Sequence, residues 1–453
     1  MAGLAPPVVP LQRPPSPKSR RFWIAAGVVA GITVATGITF AMMAPVSKTS
    51  VSGPTVYVEA FQKADNDPDE DAVARAVFER LRDGLSRIAN IRVIAPQTRA
   101  LPEQSSSASI KADYVISGDL SHTQQSWTLR ARIVKVSTGR VEALPPVAVD
   151  EAGLSADALQ TRLSAGIGHE LAVQLNDFTE PDSDATSANM VARRSAAKAA
   201  IDQATASQVQ TSRERFSVAE TILKKALEDD PGNADLAVAL SALQLRGIQM
   251  AWYDQKDRDA IEQNVRHLLQ NAQTSRPNMI AALETDCRFR NATNEFIASL
   301  VTCSRVLAFD PWNGMALYLI GLGQLQLGRF EDALATFKLA EAYDTPTVSR
   351  WTWLLGIGWA NLYLRRYDEA VPWLERSIAI TPASGRPLML LAAAYQGAGQ
   401  PEKAKEAFAR AMKIRPNSTM ENVKLPRKNS SAAFLAESER IFEVLLMLGL
   451  PVR

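Results

Sequence analysis

The strongest constraint on the fold is a repeat in the last third of the chain. Small and larger apolar residues recur there at spacings of 37 and then 34 positions. The three matching sets are Gly321, Ala333 and Phe337; Gly358, Ala370 and Leu374; and Ala392, Ala404 and Phe408. A period of this length fits one helical hairpin per unit, with small residues where the two helices touch. An ordinary helical bundle does not keep such a phase over three successive units.

This period resembles that of the tetratricopeptide repeat, and the resemblance spans residues 198–418, with its clearest phase from 314 to 416. It implies an α-solenoid that binds partners on a concave face lined by the first helix of each pair. On that face we predict an apolar and aromatic groove that takes a peptide, helix or loop of another protein. The groove residues are Met315, Tyr318, Leu322, Leu355, Trp359, Tyr363, Arg386 and Met389. They lack the Lys/Asn/Arg set with which some tetratricopeptide proteins hold a peptide carboxylate. An equally open alternative is that another helix or a second subunit already covers them.

Two segments flank these repeats. Residues 181–197 are predicted to be a polar linker. After a polar stretch, Phe434, Ile441, Phe442, Leu445 and Leu446 form an apolar helical stripe. Residues 419–453 are therefore predicted to be a loop followed by a helix that caps the solenoid.

The two cysteines, Cys287 and Cys303, lie 16 positions apart, one on each helix of the same predicted hairpin. In an oxidising compartment this placement predicts a disulfide. Two buried free thiols are the alternative.

Residues 51–180 follow a different period. Thr55–Phe61 and Trp127–Val136 alternate as strands, whereas Val73, Val77, Leu81 and Leu85 lie on one helical face. The segments TVYVEAF, LRDGLSRIANIRVIAP, ADYVISGDL and WTLRARIVKVSTGR resemble the TolB-like amino-terminal domain of bacterial membrane-anchored regulators. The resemblance implies a small α/β domain over this range.

The first 45 residues suggest a membrane segment. Phe22–Ala44 carries no charge, and a basic tail, residues 1–21, precedes it. We predict a transmembrane helix over residues 22–45 with the amino terminus in the cytoplasm. Gly27 and Gly31 form a GxxxG pair that suits a helix dimer, and hence a homodimer; small residues that simply face the lipid are the alternative. The predicted localisation is the bacterial inner membrane, single-pass, with the later domains in the periplasm.

Catalytic signatures are missing from the sequence. Two cysteines and three histidines far apart in the chain leave little for a metal site, and the formal net charge is only +2. We therefore predict no enzyme, no cofactor and no direct nucleic-acid partner.

The predicted fold class is an α+β/all-α multidomain protein with one transmembrane helix, a TolB-like α/β domain and a tetratricopeptide α-solenoid. The predicted function is a membrane-anchored periplasmic interaction or sensor module that acts by binding a protein or peptide. Two alternatives stay open: a CadC-type membrane-bound transcriptional regulator without its winged-helix domain, and an adenylate-cyclase-related protein without a cyclase domain.

Overall fold

The computed structural model describes residues 53–63, 68–94, 111–123, 125–179, 188–207, 212–382, 385–423 and 428–453. Strands occur only before residue 151 in these ranges, and regular structure from residue 156 onward is helical. Residues 52–453 cluster as one unit, so the sheet and the helical hairpins pack against each other.

The strands of the described residues form a single mixed sheet in the order β3–β1–β4–β5–β6. Strand β2 pairs with β4, and β7 pairs with β5. Strand β1 runs parallel to β3 and β4, whereas β4 and β5 form a long antiparallel hairpin in which Ile116 lies opposite Ile133. The strands are β1 (Thr55–Val58), β2 (Gln62–Lys63), β3 (Arg92–Ile94), β4 (Tyr114–Thr123), β5 (Ser126–Lys135), β6 (Arg140–Ala143) and β7 (Val147–Asp150).

Two helices, α1 (Pro68–Leu85) and α2 (Ala156–Thr179), pack against each other and against the sheet. Strand β5 alternates as predicted, and the residues of its inward face are buried, with Leu129 and Ile133 almost fully covered. The helical stripe of α1 is buried in the same core, including Val77 and Leu81. The periods of two residues on β5 and of about 3.6 residues on α1 thus place the apolar faces of the strand and the helix in one core.

The remaining helices stack as hairpins, and every two consecutive helices from α3 to α14 are in contact. Glycine sits where two helices of a hairpin meet: a Cβ on Gly321 would lie 2.4 Å from the Phe337 ring, and one on Gly358 would lie 2.6 Å from Leu374. The repeated small residues therefore allow close helix contact, as the spacing predicts. The helices are α3 (Ala188–Ser207), α4 (Arg213–Asp229), α5 (Ala234–Gln249), α6 (Gln255–Ser275), α7 (Ile280–Ala292), α8 (Phe296–Phe309), α9 (Gly314–Gln326), α10 (Phe330–Tyr343), α11 (Arg350–Tyr363), α12 (Tyr367–Ile380), α13 (Gly385–Gly397), α14 (Pro401–Ile414), α15 (Met420–Val423) and α16 (Ala432–Met447).

The turn between α8 and α9 joins the solenoid to the sheet region. The indole of Trp312 is 4% exposed and belongs to the core of the sheet region. Next to it, the carboxylate of buried Asp310 lies 2.6 Å from Nδ1 of His169 on α2. We call this contact between α1, α2 and the α8–α9 turn the Trp312 joint.

The membrane-spanning part of the predicted fold class is corrected by the structure. Among the helices of the described ranges, none combines the length and the apolar character that a bilayer crossing requires. What these ranges show is a mainly helical solenoid with a small sheet region before it. The predicted single-pass inner-membrane localisation is corrected on the same ground. Residues 22–45, with Gly27 and Gly31, lie outside the described residues.

Candidate protein-binding groove

The predicted groove residues lie on three successive first helices, α9, α11 and α13. Those on α11 and α13 are more deeply buried than the sequence predicted: Leu355, Trp359, Tyr363 and Met389 are each less than 9% exposed. Met315, Tyr318 and Leu322 on α9 are half-buried, whereas Arg386 in the first turn of α13 is exposed. The eight residues therefore form one face, but its centre is already covered.

The cover is the last helix of the same chain, α16. It packs across α11 and α13, and its buried side chains Phe434, Ile441, Phe442 and Leu445 share a core with Trp359, Tyr363 and Met389. The rings of Tyr363 and Phe434 lie 5.3 Å apart, centroid to centroid. We call the face of α9, α11 and α13 the groove; α16 covers its α11 and α13 part. The sequence left open whether the groove is free or is covered by another helix or a second subunit. On α11 and α13, another helix of the same chain covers it.

Polar contacts surround the apolar centre of the α16 contact. The hydroxyls of Tyr363 and Ser438 are 2.8 Å apart. Burial raises the pKa of Tyr363 to about 12, so the phenol is neutral at physiological pH. At the edge, Glu437 pairs with Arg365 at 2.7 Å and with Arg440 at 2.7 Å. Burial opposes ionisation of Glu437, but the two guanidinium groups outweigh it and lower the pKa of the carboxyl.

The segment before α16 is also attached to the solenoid. The Ser431 N–H donates to the carbonyl of Gln326 at 2.8 Å, and the Ser430 hydroxyl donates to the Gln326 side chain at 2.7 Å. Gly328 has a φ of +78°, and a Cβ there would lie 2.7 Å from Oγ of Ser431. Glycine is favoured at this turn because it adopts the left-handed backbone conformation easily. Its missing side chain also lets the segment before α16 approach closely.

A small cleft remains beside α16, with a volume of about 40 Å³. That volume admits a few water molecules or the tip of a side chain. Arg386, Arg415 and Ser438 supply its polar lining, and apolar side chains including Trp359, Met389 and Phe442 supply the rest. A partner helix therefore fits the α11 and α13 part of the groove only in place of α16.

Arg415 and the α16 residues were not among the predicted groove residues. The stripe Phe434, Ile441, Phe442 and Leu445 predicts a helix with one buried face, but it does not say which surface that face contacts. Arg415 follows α14 in the chain and reaches the groove only because α14 packs on α13.

Cys287 on α7 and Cys303 on α8 are both fully buried, and the structure joins their sulfurs in a disulfide with Cα atoms 5.2 Å apart. Whether the purified protein carries this bond stays a prediction. Thiol titration of the denatured, unreduced chain should find no reactive thiol, and a count of two would contradict the bond. Elsewhere in the described residues, no group of His, Cys, Asp and Glu side chains has the arrangement of a metal site.

Comparison with known proteins identifies the repeats. Two tetratricopeptide repeat models match, at residues 318–385 and 362–424. Among curated proteins, no match was found.

Several solved structures are similar to part of the chain. PilF of Pseudomonas aeruginosa is 17% identical, with 50% of this chain and 95% of that chain covered and a TM-score of 0.40. PilW, a type IV pilus biogenesis factor, is 14% identical over 50% and 95%, with a TM-score of 0.41. YrrB, described as a TPR protein with an unusual peptide-binding site, is 15% identical over 43% and 93%, with a TM-score of 0.31. Tetratricopeptide repeats are typically non-catalytic modules that bind proteins or peptides, and residues 318–424 of this chain carry them.

Proposed function

We propose that this chain is a docking module whose groove binds an amphipathic helix of a partner protein in exchange for α16. The observation that supports the proposal is that the predicted groove holds a helix of the chain itself. Helix-in-groove recognition uses apolar anchors one and two turns apart, which is how Phe434, Ile441, Phe442 and Leu445 are spaced.

The contacts of α16 suit exchange. Burying each of its apolar side chains stabilises the docked helix by about 1.5–3 kcal/mol. Against this, docking orders the helix and its side chains, which costs free energy for every residue fixed. The ion pair of Glu437 with the exposed Arg365 contributes at most about 1 kcal/mol. Undocking α16 would leave the hairpins of α9–α14 paired, so this local opening needs less free energy than global unfolding.

The sheet region is the second part of the proposal. Its resemblance to the TolB-like amino-terminal domain supports a binding role for residues 54–178 as well. The Trp312 joint fixes this region to the α8–α9 turn, directly before the first helix of the groove. We therefore propose that both parts act as one rigid platform.

A peptide added in trans tests the groove. The full chain with Phe434→Ala and Phe442→Ala has a weakened α16, so it should bind a fluorescent synthetic peptide of residues 428–453, measured by anisotropy. The same peptide carrying both alanines is the matched control and should bind at least tenfold more weakly. Circular dichroism establishes that the variant keeps its helices.

Equal binding of the two peptides, or no binding by the folded variant, would contradict the proposal. Amide hydrogen exchange provides an independent test on the unmodified chain. Amides of α16 should exchange faster than those of α11 and α13, and equal protection would mean that the helix does not undock. If two copies of the chain exchange α16, light scattering should instead show a concentration-dependent dimer. The groove would then bind a second copy of this chain and not a partner protein.

A further inference from the structure

Two arginines beside α16 have no acidic partner among the residues that the structure describes. Arg386 lies in the first turn of α13, and Arg415 follows the end of α14. Both line the cleft beside α16. The aliphatic stem of Arg415 packs over Gly385, where a Cβ would lie 2.8 Å from Cγ and Cδ of Arg415. The missing side chain of Gly385 thus brings the second arginine beside the first.

Several other arginines of these repeats are paired with carboxylates. Arg365 binds Glu437, Arg366 binds Glu331, and Arg376 approaches Glu341 at 3.5 Å. Within the described residues, no carboxylate forms a hydrogen bond or ion pair with Arg386 or Arg415. Arg386 and Arg415 are both exposed, and two neighbouring positive charges without an anion repel each other. The site therefore has an unmet preference for negative charge.

Helix α16 does not meet this preference. The side chains that it presents to the cleft are Ser438, Ile441, Phe442 and Leu445, none of which is charged. Its nearby acid, Glu437, is held by Arg365 and Arg440 instead. Helix α16 thus packs on the apolar surface of the groove but supplies no acidic side chain to the two arginines.

A buried hydroxyl in the same corner also lacks a partner. Ser418 is 3% exposed, and its Oγ makes no hydrogen bond in the described structure. It lines a pocket of about 250 Å³ together with Arg415, Asn417 and Asn422. A buried hydroxyl without a partner is costly, and an entering acceptor would satisfy it.

From these observations we infer that the partner helix carries an acidic side chain that binds Arg386 and Arg415. This inference rests on the proposed function and adds the chemistry of the partner. Arginine suits the role because its planar guanidinium forms paired hydrogen bonds with a carboxylate. A helix that fills the apolar groove and also supplies the carboxylate binds more tightly than α16 does.

The experiment compares glutamate with glutamine in the trans peptide. Peptides of residues 428–453 carry Ser438→Glu or Ser438→Gln, and a second pair carries Leu445→Glu or Leu445→Gln. Each pair has nearly the same size and the same loss of the native side chain, so the difference reports charge. The receptor is the full chain with Phe434→Ala and Phe442→Ala. We expect at least one glutamate peptide to bind about tenfold more tightly than its glutamine partner.

The arginine-free receptor completes the test. With Arg386→Gln and Arg415→Gln added, the preference for glutamate should fall below about twofold, while the unsubstituted peptide should still bind. Because every peptide shares the Glu437–Arg365 ion pair, salt should weaken all of them, but it should weaken the glutamate peptides more than their glutamine partners. Binding of the unsubstituted peptide without any preference for glutamate would overturn this inference and leave the docking function standing. A preference that survives in the arginine-free receptor would also overturn it, and failure of every peptide to bind would overturn both.

Discussion

Two of the contacts that the solenoid makes with other parts of the chain are built differently. At the Trp312 joint a single indole is enclosed by glycines: a Cβ on Gly84 would lie 2.0 Å from the ring, and one on Gly168 would lie 2.7 Å away. In the groove, α16 lies on a broad apolar face, with a hydroxyl pair and ion pairs around it and a cleft beside it. One contact fits a particular side chain, whereas the other fits a type of helix.

This difference indicates which contact is permanent. Close packing around Trp312 leaves no substitute for the indole, and Asp310 beside it is fully buried with His169 as its partner. The α16 contact uses spaced apolar anchors that other amphipathic helices also carry. Loss of the joint should therefore destabilise the whole chain, whereas loss of the groove contact should release one helix.

The largest effect should come from Trp312→Ala. Removing the indole leaves a cavity between α1, α2 and the α8–α9 turn and should lower the free energy of unfolding by about 3–5 kcal/mol. Chemical denaturation followed by circular dichroism measures this. The matched control is Ile297→Ala on α8, which is 70% exposed and should change stability by less than about 0.5 kcal/mol. Equal stability of the two variants would remove the distinction between the contacts.

Phe434→Ala should act locally. The ring is fully buried against Tyr363, and its loss should cost about 3 kcal/mol at the α16 contact. We expect faster hydrogen exchange in α16 with little change in α7 and α8. Met447→Ala, on the 73% exposed end of the same helix, is the control. Uniformly faster exchange over the whole solenoid would mean that α16 is part of one cooperative unit.

Tyr363→Phe should have a smaller effect. It removes the hydroxyl that bonds to Ser438 but keeps the ring, and Oγ of Ser438 still donates to the Phe434 carbonyl at 2.8 Å. The expected loss is about 1 kcal/mol, seen as a few-fold rise in the exchange rates of α16. If the exchange rates of α16 do not rise in this variant, the hydroxyl pair does not stabilise the docked helix.

The smallest effect should be a pH dependence of the joint. Burial disfavours the charged imidazolium of His169, but the hydrogen bond and charge of Asp310 outweigh burial and raise the pKa. Glu170 and Glu284 act in the same direction. The pair thus stabilises the fold fully below pH about 6.5, and this contribution is lost as pH rises through the higher folded-state pKa. Thermal unfolding between pH 5.5 and about 9 should show this slope in the native chain but not in His169→Gln.

Local patterns predicted the elements well. The alternation around Leu129 and the repeat that places Gly358 against Leu374 both depend on neighbours close in sequence or one repeat away. The same patterns gave the face on which Trp359 and Tyr363 lie. The sequence left open whether another helix covers that face, but it did not identify α16 as that helix and did not predict the joint. Phe434 and Trp312 contact partners that no sequence period relates to them. An apolar stripe indicates burial without naming the surface that buries it.

The attachment of α16 to the chain that it covers has a consequence for any competitor. A tethered segment is present at its site at an effective concentration on the order of millimolar. A free ligand supplied at about 1 μM would need roughly a thousandfold greater intrinsic affinity to fill half of the molecules. The tethered α16 thus sets a minimum affinity for any competitor, and amphipathic sequences that bind only weakly and nonspecifically do not reach it.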